Sequence, residues 1–283
     1  DIGFVGTGLD TASLLSFCGS SNGFVKTWYD QSGNGRHVTQ TILGDQPQIV
    51  TTGALTWTLN SQAALSFLPS KLIGTTMTQY ITNTEGTIFC VFQADSITGG
   101  DVRPEDNDVI LGDNGSWTGL SMESTPVFQA FGYDPTVARI ASQAVAINTP
   151  YIGVYKHTIG VLSSFLNTDT AGGTIACGTI GMTSSVLNIG GNAVGGYRGR
   201  LLAILLYSAP VSSANQTSIR QALNAVYGIT LDTSDARHYH DQIMFGLFQA
   251  ESAYDTPLST WSTATACSMR DFDDASPHET WDD

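Results

Sequence analysis

Short apolar runs, separated by turn-forming residues, recur along most of the chain. This pattern is typical of a β-sandwich. The run Thr87–Gln93 (TIFCVFQ) is apolar at both odd and even positions, which predicts a central strand covered on both faces. Further predicted strands are Ala63–Phe67, Asp108–Leu111, Trp117–Met122, Val127–Phe131, Ile152–His157, Val161–Leu166, Val186–Ile189 and Gly199–Tyr207.

Near the N-terminus, Gly23–Tyr29 (GFVKTWY) alternates in a way that predicts one strand, with Phe24 and Trp28 on the same face. The segment Asp30–Arg36 (DQSGNGR) follows it and has turn composition. In such a turn, Asp30 and Ser32 can accept hydrogen bonds from nearby backbone N–H groups. A tight corner is therefore expected beside two large aromatic residues.

One segment has a clear helical period. Val211–Tyr227 begins beside Ser212 and Ser213, which suit an N-cap, and ends before Gly228. A shorter helix is expected around Leu9–Phe17. Because the strands do not alternate with helices, the chain is predicted to be all-β, a sandwich with one late helix.

Charge divides the chain into two parts. The net charge is −14, with only 13% charged residues, and it argues against nucleic acid and anionic membranes as partners. Residues 232–283 hold 11 acidic and 2 basic residues, whereas residues 1–231 hold 14 and 9. The predicted boundary separates a sandwich at 1–231 from an acidic extension at 232–283, which either stays disordered or docks elsewhere. Its one apolar patch is Ile243–Phe248 (IMFGLF).

The four cysteines are widely spaced and form no metal-ligand motif. Buried free thiols and a single disulfide both remain open. No apolar run reaches the ~20 residues that span a bilayer, so membrane insertion is not expected.

The opening blocks DIGF, LDTASLLSFCG, GFVKTWYDQSGNGRHVTQ and QPQIV form an ordered series. This series resembles concanavalin-A-like and laminin-G-like jelly-roll domains of bacterial and bacteriophage surface proteins. It is also similar to the opening of α-L-arabinofuranosidase B-type catalytic domains (glycoside hydrolase family 54). The block from Asn188 to Ile229 resembles the closing part of the same domains. The resemblance implies a jelly-roll fold, which hosts both enzymes and binding modules.

The hydrolase resemblance places Glu123 where the arabinofuranosidase nucleophile would lie. The second carboxyl group of that family falls in a GGD motif, and here the motif reads Gly190, Gly191 and Asn192. An amide cannot act as the acid and base that glycoside hydrolysis requires. Asp113 and Asp134 are the alternative candidates for the missing acid.

Residues expected to contact a glycan are aromatic or carry amide and carboxylate groups that suit sugar hydroxyls. They are Trp28, Tyr29, Asp30, Trp117, Asn192 and Tyr197. A structural role for the Trp28–Asp30 corner is the competing interpretation.

No cofactor is expected except calcium. The acidic stretch Asp95–Asn114 supplies carboxylates of the kind that Ca²⁺ prefers, although it matches no EF-hand spacing. A solvated acidic loop is the other interpretation of this stretch. The candidate calcium ligands are Asp101, Asp106, Asp108 and Asp113.

Together these features favour a non-enzymatic module on a virion or a bacterial cell surface, of phage tail, fibre or decoration type. Its expected partners are cell-surface or capsular glycans and neighbouring structural subunits, including copies of itself. A secreted arabinofuranosidase-like hydrolase is the alternative.

Overall fold

The computed structural model describes residues 1–6, 8–68, 70–97, 108–113, 118–123, 126–134, 137–181, 186–191 and 196–231. The predicted extension at 232–283 lies outside these residues, so the domain boundary stays a prediction. The described residues form two α-helices, α1 (Thr11–Cys18) and α2 (Ser213–Tyr227), and two short 3₁₀ turns at Leu43–Asp45 and Met77–Gln79. No described helix is long and apolar enough to cross a membrane.

Antiparallel strands make up the rest of the regular structure. β1 to β7 are Phe4–Val5, Gly8–Leu9, Gly23–Phe24, Thr27–Trp28, Val38–Thr39, Gln48–Thr51 and Ala54–Leu55. β8 to β14 are Thr58–Leu59, Gln62–Ala63, Leu65–Phe67, Leu72–Thr76, Gly86–Ala94, Asp108–Asp113 and Thr118–Glu123. β15 to β21 are Val127–Asp134, Val137–Ala144, Pro150–Thr158, Gly160–Leu166, Gly173–Cys177, Val186–Ile189 and Gly199–Tyr207.

The strands of the described ranges form two large sheets and two small hairpins. Sheet I has nine strands, in the order β19-β18-β17-β12-β21-β10-β6-β3 with β7 beside β6, and sheet II has eight, in the order β16-β15-β14-β13-β20-β11-β5-β4. The sheets pack face to face, as the stacked rings of Phe92 and Phe128 show, with centroids 5.3 Å apart. The all-β sandwich is confirmed.

Strand β12 is buried along its whole length. Ile88, Cys90 and Phe92 face the core between the sheets, whereas Phe89 and Val91 belong to a second apolar cluster under α2. This explains why the run has apolar residues at both odd and even positions, as predicted for a strand covered on both faces.

Helix α2 has the predicted limits. The Ser212 hydroxyl accepts the Asn215 N–H, and Gly228 ends the helix in the left-handed conformation (φ 65°). Ile219 and Leu223 face sheet I, and Arg220 forms a buried ion pair with Asp169. The early helix predicted around Leu9–Phe17 is also present, as α1.

One strand prediction was wrong. Gly23–Tyr29 does not form a single strand, because β3 pairs in sheet I and β4 pairs in sheet II. Between them the chain crosses from one sheet to the other, and Phe24 and Trp28 therefore share no face.

Candidate functional site

The outer face of sheet II, which points away from the core, carries a row of polar side chains. Cross-strand pairing places Ser121 opposite Gln129, and Glu123 lies two residues further along β14 on the same face. Asn188 lies on this face too, opposite Gly112 of β13. Leu120 and Met122, which alternate with these positions, point into the core.

Hydrogen bonds join three of these side chains. The Gln129 amide nitrogen donates to Glu123 Oε2 over 2.8 Å, and the Ser121 hydroxyl donates to Gln129 Oε1 over 3.3 Å. Ser121 and Gln129 are buried, whereas Glu123 is only partly buried. We call Ser121, Gln129 and Glu123 the outer-face triad. It presents a fixed carboxylate at an accessible end of a polar row.

Two glycines separate Asn188 from Phe131 on this face. A side chain at Gly119 would collide with the carbonyl oxygen of Leu111, and one at Gly112 would lie 2.9 Å from that of Thr118. The backbones of β13 and β14 therefore approach too closely for side chains here. The Phe131 ring lies 3.6 Å from the position that a Cβ atom at residue 112 would occupy. This ring forms the apolar part of the face.

The structure does not support Asp113 or Asp134 as an acid partner for Glu123. Asp113 pairs with Leu187, a core residue, and so faces the interior. It also lies beside Thr118, at the opposite end of β14. Glu123 follows Thr118 by five positions along the strand, which is roughly 17 Å. Asp134 also lies at the Thr118 end of the sheet, two residues beyond Gly132, which pairs with Thr118.

Asn192 lies outside the described residues. The preceding strand, β20, ends at Ile189, which pairs with Leu111. Trp117 is also outside the described residues.

The Trp28–Asp30 corner is tightly hydrogen-bonded, as expected. Asp30 accepts the backbone N–H groups of Ser32 and Arg36 at 2.8 and 2.9 Å. Burial alone would raise the pKa of Asp30, but these bonds, the Ser32 hydroxyl and the nearby His37 outweigh it and lower that pKa. Trp28 packs partly against the core.

Tyr29 is the most accessible side chain of the corner, at 40% exposed. Its hydroxyl donates to Asp1 Oδ1 over 2.9 Å, and its ring meets His37 edge to face. The corner thus has a structural role, and Tyr29 is its one broad surface for a ligand.

Tyr197 does not fit the expected ligand contact. Its side chain is completely buried, and its hydroxyl donates to the carbonyl oxygen of Gln93 over 2.6 Å. Burial raises its pKa well above the ordinary value. In this structure the ring fills the core instead of facing solvent.

Of the four calcium candidates, Asp101 and Asp106 lie outside the described residues. Asp108 and Asp113 are buried, and Asp113 Oδ1 accepts the Thr118 N–H over 3.1 Å. Within the described ranges, no group of three or more His, Cys, Asp or Glu side chains could hold a metal ion. Cys18, Cys90 and Cys177 are free thiols.

Sequence reasoning missed Ser121, Gln129 and Asn188. Each is a polar residue flanked by apolar neighbours within a strand, and that signal alone does not show that they share a face. The shared face depends on the pairing of four strands, which only the structure gives.

No protein-family model and no curated protein sequence matches the chain. Several solved structures, however, match its fold. An arabinofuranosidase complexed with arabinofuranosyl-α-1,2-xylobiose is 14% identical, with a TM-score of 0.54 over 77% of this chain and 54% of that chain. A point mutant of a GH54 α-L-arabinofuranosidase soaked with 4-nitrophenyl α-L-arabinofuranoside is 13% identical, with a TM-score of 0.52 over 82% of this chain and 57% of that chain.

The shared property is the fold. The chain spans just over half the length of these two arabinofuranosidases, and identities of this size carry no statement about activity.

Proposed function

We propose that this chain is a glycan-binding module that does not hydrolyse its ligand, and that the glycan binds at the Glu123 end of the outer-face triad. The observation that carries the proposal is the carboxylate of Glu123, held by Gln129 on a polar sheet face. A carboxylate accepts strong hydrogen bonds from sugar hydroxyls. Two solved sandwiches of the same fold are arabinofuranosidases, which favours a furanosyl ligand.

Binding without hydrolysis is supported by the lack, among the described residues, of a second carboxylate placed to act with Glu123. Retaining hydrolysis needs two carboxyl groups about 5 Å apart, and inverting hydrolysis needs them roughly 6.5–9.5 Å apart. Within the described part of sheet II, Glu123 is the only carboxylate on the outer face, since Asp108, Asp113 and Asp134 fall at inward-facing positions. By the resemblance of Gly190, Gly191 and Asn192 to the GGD motif of the arabinofuranosidases, an amide stands where that family has an acid.

Arabinofuranosyl oligosaccharides, arrayed with other glycans, test the binding directly. The Glu123→Gln variant should bind the best ligand about tenfold or more weakly, because it loses a charged hydrogen-bond acceptor. Glu85→Gln, a half-buried glutamate before β12, is the matched control and should bind as the native chain does. Equal affinity of the native chain and Glu123→Gln would remove the proposed site.

Hydrolysis is the alternative, favoured by the fold and by the position of Glu123. Turnover of 4-nitrophenyl α-L-arabinofuranoside by the native chain, lost in Glu123→Gln, would replace the binding proposal with this one.

We further propose that the module belongs to a virion or bacterial surface structure and contacts neighbouring subunits. Large apolar side chains are strongly exposed in the N-terminal part of the chain, and a contiguous group of them would form an interaction site. They are Phe4 (56%), Val5 (69%), Phe17 (84%), Ile42 (62%) and Leu43 (65%). Co-purification of the chain with capsid, tail or surface-layer proteins would support this role. A monomer that co-purifies with none of them would oppose it.

A further inference from the structure

A large cavity lies between the N-terminal segment of the chain and strand β21. Its volume is about 1070 Å³, just above the usual range for ligand pockets. Leu187 and Ile189 of sheet II line one side, and β21 lines another. A pocket of this size has room for a ligand or for a segment of peptide.

The burial of the lining residues shows that the cavity interrupts the core. Leu65, Leu202 and Ala203 retain 7–8% exposure, whereas Ile88 and Phe92 of the neighbouring β12 have none. Ile204 and Leu206 also line the cavity and are only half-buried. Burying the exposed part of these side chains against an apolar neighbour should stabilise the folded protein.

One wall of the cavity is an open sheet edge. β21 pairs with β12 along its whole length, but its other neighbour, β10, reaches only from Gly199 to Leu201. Among the described residues, no strand pairs with the second edge of β21 over Ala203–Leu206. In an antiparallel ladder every second residue directs its N–H and C=O to each edge, so two of these four residues present unpaired backbone groups to the cavity.

This edge decides the chemistry of the occupant. A hydrocarbon chain would fill an apolar space but would leave the backbone groups of β21 without partners, which is costly in an apolar environment. An extended peptide supplies both hydrogen bonds and side chains. Because apolar residues line both sides of β21, the peptide must be apolar on both of its faces.

We propose that the segment Ile243–Phe248 of this same chain enters the cavity as an added strand beside Ala203–Leu206. It is apolar on both faces and long enough for the four-residue edge. Tyr227, the last residue of α2, already lines the cavity. The eleven residues between Leu231 and Ile243 reach up to about 40 Å, so the connection is ample.

Hydrogen exchange of the full-length chain tests the proposal. Amides of Ala203–Leu206 should be protected in the native chain and exchange about tenfold or more faster in the variant Phe245→Asp/Leu247→Asp. Leu258→Asp/Trp261→Asp, which introduces the same number of aspartates elsewhere in the extension, is the control and should leave the protection unchanged. Amides of β12 report whether each variant remains folded. Equal exchange of this edge in all three chains overturns the proposal.

A synthetic peptide spanning Gln242–Gln249 gives a second measurement. Added to Phe245→Asp/Leu247→Asp, it should restore protection of Ala203–Leu206, which a merely unstable variant would not show. Protection in the native chain that disappears on dilution would assign the edge to a second copy and refute docking within one chain.

Discussion

The amide of Gln129 lies between Ser121 and Glu123, bonded to both through side-chain contacts of 3.3 and 2.8 Å. Gln129→Leu removes both bonds while preserving much of the buried volume. We expect glycan affinity to fall about five- to tenfold and the free energy of unfolding to fall by about 1–2 kcal/mol. Gln143→Leu, which changes a glutamine on the opposite face of sheet II, should leave affinity unchanged in calorimetric titrations.

Asn192 offers a gain-of-function test of the missing acid. If the resemblance of the GGN motif to GGD is correct, Asn192→Asp should hydrolyse 4-nitrophenyl α-L-arabinofuranoside at least about 10²-fold above the native chain. Glu123→Gln/Asn192→Asp should lose that gain. Turnover that persists in the double variant would mean that Glu123 is not the nucleophile.

Asp30 should stabilise the corner that follows β4. Asp30→Ala removes the acceptor of two backbone N–H groups and should cost about 1–2 kcal/mol in urea unfolding. Asp45→Ala, whose carboxylate makes no hydrogen bond among the described residues, is the control. Since the pKa of Asp30 is below its ordinary value of 3.8, its contribution should be complete above that pH and lost as the pH falls through the lower pKa.

His157 predicts sensitivity to mild acid. It is buried, its Nε2 lies 2.9 Å from the Gly178 carbonyl oxygen, and burial lowers its pKa below 6.5. The unfolded chain therefore binds a proton first, so stability falls as the pH drops below about 6.5. His157→Gln should lose less thermal stability than the native chain between pH 7.5 and 5, by a few °C. Parallel curves for the two chains would contradict this expectation.

The elements that sequence alone predicted best are those whose pattern is local. β12 has an apolar residue at nearly every position, and α2 has both a cap and a glycine stop, so each is visible without its neighbours. β16 (Val137–Ala144) was not predicted, because its sequence VARIASQA has no clean alternation.

Features that depend on pairing could not be predicted. Nothing local in Gly23–Tyr29 reveals that the chain changes sheets between Phe24 and Thr27. Likewise, Glu123 was identified from a resemblance, but its bond to Gln129 follows from the register of β14 with β15. The burial of Tyr197 depends on Gln93, a residue 104 positions away.

The position of β12 in the sheet has a consequence during synthesis. Thr87 of β12 pairs with Tyr207 of β21, 120 residues later. At about 5–20 residues per second, a ribosome needs roughly 6–24 s to produce that partner. β17, the partner on the other side of β12, is synthesised earlier, but until β21 is made one edge of this nine-residue, largely apolar strand stays open. The nascent chain is therefore a natural client for chaperones and prone to aggregate when it is overproduced.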